Sequence, residues 1–151
     1  MQPFTVTRSL TVDASPDQVW PLVADEEGLA GWFGGDVQLD VRPGGAGRFT
    51  DDSGHVRRAV VADVQTERGV RWIWWDEDEP AAASSVELRV DSTEDGRSTV
   101  TVTETAVIGG ARACALADAR IGSAWEDRLG RVEERFAALV GAGLVGAGPG
   151  W

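Results

Sequence analysis

The sequence predicts an α+β fold, a curved antiparallel sheet of six to seven strands wrapped around one long C-terminal helix, with two short helices after the first strand. Three observations predict it. Residues 36–107 read as consecutive runs of alternating polar and apolar residues joined by short turns, and parallel strands would need crossovers of about a dozen residues or more. Ile121, Trp125, Leu129, Val132, Phe136 and Leu139 recur at helical spacing, which makes one apolar stripe on a helix from about residue 116 to 140. A meander has one apolar face that must be covered, and this stripe lies on the only long amphipathic element available. A chain of 151 residues then reads as one domain over residues 1–140, followed by a Gly/Ala-rich tail, 141–151, expected to be mobile.

Each element has a local cause. Residues 4–12 alternate with Phe4, Val6, Leu10 and Val12 on one face and Arg8 among them, a half-buried strand. Ser15 as N-cap and Pro16 as first helical residue start a helix to about Asp25. A second short helix, about 26–32, carries Leu29 and Trp32. Strands follow over 36–41 and 47–51, separated by Pro43-Gly44-Gly45. The strand over 55–66 is expected to place Val56, Val60, Ala62 and Val64 on one face, with Arg58 on that same inner face. Glu67-Arg68-Gly69 turns into a tryptophan-rich strand, 70–76. The acidic run from Asp76 and the following AAASS read as a solvated loop. A strand over 86–91, the turn Glu94-Asp95-Gly96 and a strand over 98–107 complete the meander.

Charge and composition narrow the function classes. The chain carries 25 acidic and 14 basic residues, all the basic ones arginine, for a net charge of -11. Such a surface repels phosphate backbones and anionic membranes, so no nucleic-acid partner is expected. No apolar run approaches the ~18 residues of a membrane-spanning helix, and the N-terminus does not read as a secretory signal, so a cytoplasmic protein is expected. One cysteine, Cys114, and one histidine, His55, argue against a disulfide framework, a metal centre and any bound cofactor. His55 could find a partner only in Asp51 or Asp52. Cys114, in a small-residue segment, reads as an inert buried thiol. Gly44–Gly47 lacks the lysine and helix of a phosphate loop, and the acidic run lacks calcium-ligand spacing.

The ordered set VTRSLTVDASPDQVW (6–20), GLAGWF (28–33), RPGG (42–45), GHVRRAVVADVQTERGVRWIW (54–74) and SAWEDRLGRV (123–132) resembles the START-type, birch-pollen-allergen-like superfamily (SRPBCC) with the helix-grip fold. Within it, the chain is similar to the branch related to the C-terminal domain of the heat-shock-protein ATPase activator. The resemblance implies a cavity between sheet and C-terminal helix. It does not imply a reaction, because carriers, cyclases and cochaperone domains share this fold.

On that arrangement the candidate ligand-binding residues are Arg8, Trp32, Arg58, Trp72, Trp74, Glu104 and Trp125. The first and last strands are neighbours, so Arg8 and Glu104, both inward by parity, are expected to pair as a structural bridge or as a polar anchor for a ligand. Arg58 either reaches the cavity mouth or extends to water. Trp72 and Trp74 face inward with Val70, and with Trp32 they either form a wall for a flat apolar ligand or fill the space themselves. Trp20 and Trp125 read as core. Ile73 and Trp75 face outward and suggest a homodimer contact. The expected function is therefore the binding of a hydrophobic or aromatic small molecule. A polyketide cyclase or aromatase-like enzyme, with Glu104 and Arg8 moving protons, and a chaperone-regulating interaction domain are the alternatives. No convincing catalytic constellation favours the enzyme.

Overall fold

The computed structural model describes residues 5–33, 35–106 and 124–134. Strand β1 (Thr5–Val12) leads through Ser15 into helix α1 (Pro16–Val23), and helix α2 (Glu26–Phe33) follows. Pro16 takes the first helical position, where no N–H is needed, and the Gln18 Oε1 accepts a bond from the Ser15 backbone N–H at 3.2 Å. Then come β2 (Gly35–Leu39), β3 (Ala46–Asp51), β4 (Val56–Gln65), β5 (Gly69–Asp76), β6 (Glu79–Ser92) and β7 (Ser98–Ala106). Residues 124–134 form helix α3.

The seven strands make one antiparallel sheet in the order β1-β7-β6-β5-β4-β3-β2. Strands β2 to β7 are the predicted meander, and β1 is added beside β7. The α1–α2 segment therefore carries the chain from one edge of the sheet to the other. The sheet curls into a half-barrel whose inner face packs on α3. Gly96, at φ +84°, makes the β6–β7 turn in a backbone region that favours glycine.

Strict alternation builds the core. Along β7, Ser98, Val100, Val102, Glu104 and Ala106 are buried, and the threonines between them are half-exposed. On the outer face Thr5, Thr7 and Thr11 pair through their hydroxyls with Thr105, Thr103 and Thr99 at 3.3–3.4 Å. The helix stripe is as predicted where it is described: Trp125, Leu129 and Val132 are buried, while Glu126, Asp127, Glu133 and Glu134 are exposed. Phe4, Cys114, Ile121, Phe136, Leu139 and the 141–151 tail lie outside the described residues. Among the described residues no helix is long and apolar enough to cross a membrane.

Two expectations are corrected. The AAASS stretch is strand, not loop: β6 starts at Glu79, and Ala83 and Ser84 pair with Trp75 and Trp74, so the turn is only Glu77-Asp78. Small residues suit a position opposite two bulky indoles, which local composition does not reveal. The face assigned to β4 is also wrong. Arg57, Ala59 and Val61 point inward, and Val60 and Arg58 outward. The pairing skips from Val61↔Trp72 to Asp63↔Arg71, a bulge that returns Val64 to the inner side opposite Val70. One inserted residue reverses the parity of a strand, so the valines at 56, 60 and 64 seemed to share a face that the bulge divides.

This parity is testable with isosteric changes. Val61→Thr puts a hydroxyl into the core and is expected to cost about 1–3 kcal/mol. Val60→Thr on the outer face is expected to stay within ~0.5 kcal/mol. Equal losses in urea denaturation would contradict the bulge.

Candidate functional site

The inner faces of β5, β6 and β7 meet α3 around one carboxylate. Glu104, 6% exposed, takes three hydrogen bonds. The Trp125 Nε1 donates to its Oε1 at 2.8 Å, and the Trp74 Nε1 and the Ser84 hydroxyl donate to its Oε2 at 3.1 and 2.6 Å. Register explains the convergence: Trp74 stands opposite Ser84, and Glu104 is one pleat along β7 from Ser84's partner, Ala106. The two indoles lie nearly parallel, 18° apart with centroids at 5.9 Å, so their N–H groups reach the two oxygens of the same carboxylate.

Aromatic rings fill the surroundings. Trp32 is tilted against Trp125 at 6.1 Å, and its indole N–H is taken by the Val23 carbonyl at 3.1 Å. Phe49 stacks on Trp72 at 5.4 Å and meets Trp74 edge-on at 5.1 Å, and Phe33 meets Phe49 edge-on at 5.0 Å. The offset and edge-on geometries match the ring quadrupoles. The four indoles of this layer, Trp32, Trp72, Trp74 and Trp125, are almost fully buried. One donor in this layer is left over: among the described residues the Trp72 Nε1 has no acceptor.

Cations cap the layer. The Arg57 guanidinium lies over Trp74 at 4.7 Å, and that of Arg128 lies over Phe33 at 4.3 Å and Trp125 at 4.7 Å. Arg128 is 9% exposed. Its pKa falls to about 10, chiefly because burial removes water and then because Arg57 repels it, with Glu104 opposing. It remains cationic at neutral pH. Arg57 approaches Asp76 at 3.4 Å, and the His55 Nε2–H donates to the same Asp76 oxygen at 2.6 Å. Arg131 donates to the Phe33 carbonyl at 3.1 Å.

The family described as activator of Hsp90 ATPase homolog 1-like protein matches residues 13–136. The chain belongs to that family, and through it to the SRPBCC superfamily. Solved structures agree on the fold. DynU16, from the dynemicin biosynthetic locus, aligns over 97% of this chain with a TM-score of 0.74 and 20% identity, and this chain spans 50% of its length. Protein MLL2253 from Mesorhizobium loti aligns over 89% of this chain and 98% of its own, with a TM-score of 0.74 and 16% identity. The Aha1 dimer from Colwellia psychrerythraea aligns over 87% of this chain and 94% of its own, at 0.67 and 14%. A search of curated proteins finds no match.

Within this family fold the predicted residues separate. Trp32, Trp72, Trp74, Trp125 and Glu104 come together as described. Arg8 does not join them. Val6, not Arg8, stands opposite Glu104, while Arg8 faces Val102, and its Nε donates to Glu126 at 2.8 Å in a half-exposed pair. Parity put both residues on the inner face but could not place them at the same level. Arg58 is on the outer face, bonded to Glu77 at 2.8 Å. It lines an open groove of about 760 Å³ with Gln38, Asp40 and Arg48, and none of the four inward tryptophans of the candidate site lines it. His55 is partnered by the Asp76 side chain across the β4–β5 ladder; Asp51 accepts only its backbone N–H, at 3.0 Å. Sequence reasoning missed Ser84, Arg57 and Arg128. Arg128 had a visible signal, since it falls three residues after Trp125 and four before Val132, within the apolar stripe.

The two assignments of Glu104 and Arg8 predict different losses. Glu104→Gln sets an amide N–H₂ against one of three donors and is expected to cost about 1–3 kcal/mol, with Glu104→Leu costing more. Arg8→Ala removes a half-exposed pair and is expected to cost no more than ~1 kcal/mol. A chemical-denaturation series in which Arg8→Ala matched Glu104→Leu would restore the Arg8–Glu104 pair.

Proposed function

We propose that this family member binds a small hydrophobic or aromatic molecule, lipid- or polyketide-like, between the inner face of the sheet and α3. The observation that carries this reading is the Trp72 indole N–H, buried in a wall of rings with no acceptor among the described residues. Leaving such a donor unpaired costs roughly 1–3 kcal/mol, and the carbonyl or hydroxyl oxygen of a flat ligand stacked on the wall would recover it. Apolar surface with a few fixed polar groups is the usual make-up of a ligand site. Cytoplasmic residence accords with a chain that has one cysteine.

Glu104 favours a cyclase or aromatase-like enzyme as a second reading, because a buried, oriented carboxylate can take a proton from a carbon acid held against the rings. The family description favours a third, an interaction domain. Its surface would be the outer face where Val60, Ile73 and Trp75 are half-buried on adjacent strands, and the same face would serve a homodimer.

N-phenyl-1-naphthylamine, a neutral apolar fluorophore, is expected to show saturable emission with the protein and to quench its tryptophans, with Trp72→Phe and Trp74→Phe altering the response. A folded protein giving no saturable response up to the probe's solubility limit would overturn the binding reading in favour of a surface role.

A further inference from the structure

Most arginine bridges among the described residues lie at the surface and join neighbouring acids, as in Arg42–Asp40, Arg58–Glu77, Arg89–Asp91 and Arg97–Asp95. Arg128 is the exception. Among the described residues it is the one buried arginine, and it has no carboxylate within bridging distance. In a chain with 25 acids, supplying one there would need a single substitution. A buried cation with no directly bonded anion is costly, and ring faces offset only part of that cost. Arg57 adds a second cation over Trp74, the ring stacked on the Trp125 that carries Arg128.

Geometry states what the pair can hold. A guanidinium held over a ring keeps N–H groups for hydrogen bonds. Arg128 lies over Phe33 and Trp125, and Arg57 over Trp74, whose ring stacks on Trp125. Among the described residues the nearby acids make no direct bridge to Arg128, and Asp76 alone bridges Arg57. Glu104 has both oxygens held by Trp74, Trp125 and Ser84. Asp76 is shared between His55 and the Arg57 Nε. Asp51 is engaged in its own turn with Ser53 and the His55 backbone.

We infer that Arg57 and Arg128 form an anion subsite at the edge of the aromatic layer, which receives the carboxylate or an equivalent oxyanion of an aromatic acid whose rings lie against Trp74 and Trp125. This inference rests on the ligand-binding reading and adds the charge of the ligand to it. Planar bidentate recognition of a carboxylate is what paired guanidinium edges provide. Direct charge-assisted bonds to one small anion explain why the site keeps arginines rather than apolar residues under a strongly acidic surface.

The test compares 2-naphthoate with 2-naphthamide, which share ring and shape and differ in charge, by quenching of intrinsic fluorescence. The wild-type protein is expected to bind naphthoate at least about tenfold more tightly, as charge-assisted bonds to a desolvated guanidinium imply. Arg57→Gln and Arg128→Gln are each expected to bring the two affinities together while changing naphthamide binding by less than about twofold. Rising salt is expected to weaken naphthoate alone. The wild-type comparison needs no variant, so a misfolded Arg128→Gln leaves it intact. Equal affinities in the wild-type protein, or a preference that survives both substitutions in folded protein, would overturn the anion subsite and leave the binding reading standing. Failure of both naphthalenes and of the neutral fluorophore would remove the two together.

Discussion

The Glu104 carboxylate is the joint between sheet and helix. It collects donors from β5, β6 and α3 onto one group of β7. A buried carboxylate is tolerable only when its lone pairs are engaged, and a buried indole N–H needs an acceptor just as much. Each partner therefore removes the other's penalty. Trp125 is the first apolar residue of the described helix stripe, so its bond to Glu104 sets the depth at which α3 sits. The parallel stacking of Trp74 and Trp125 follows, because both rings must present an N–H to one carboxylate.

Around that joint the molecule inverts the charge pattern of its surface. Outside, carboxylates dominate and arginines are distributed among them as exposed pairs of little energetic weight. Inside, rings carry arginines on their faces, and the local dielectric makes those charges count. A single acidic residue at the end of the apolar layer, with Arg57 and Arg128 beside it, makes this the most polarised region of the described core. Polar groups set within apolar surface fix the orientation of a bound molecule more than its affinity.

The family fold supplies the setting rather than the role. Its long antiparallel sheet closes no barrel, and the α1–α2 segment carries the chain across from one edge to the other. The groups differ from face to face: threonine ladders at the β1–β7 edge, half-buried Val60, Ile73 and Trp75 near the middle, and aromatic and charged groups inside. One fold can therefore serve a ligand, a partner or both, and the side chains on each face decide which.

The sequence by itself determined the element order, the antiparallel meander, the helix stripe at Trp125, Leu129 and Val132, and the inward direction of Trp72 and Trp74. All of these are local periodicities of two or 3.6 residues. It also placed Glu104 among apolar neighbours, which marked a buried carboxylate before any partner was known. Tertiary structure decided the partners. Arg8 and Glu104 share a face but differ in level, and level depends on strand register, which periodicity does not carry. A one-residue bulge after Val61 moved Arg58 outside and Arg57 inside. Ser84 became part of the site only because β6 extends beside Trp74, and Arg128 only because α3 lays its stripe over Phe33. Hydrogen-bond partners more than twenty residues apart, as with Trp125 and Glu104, are chosen by packing of the whole sheet against the helix, and no local segment contains that information.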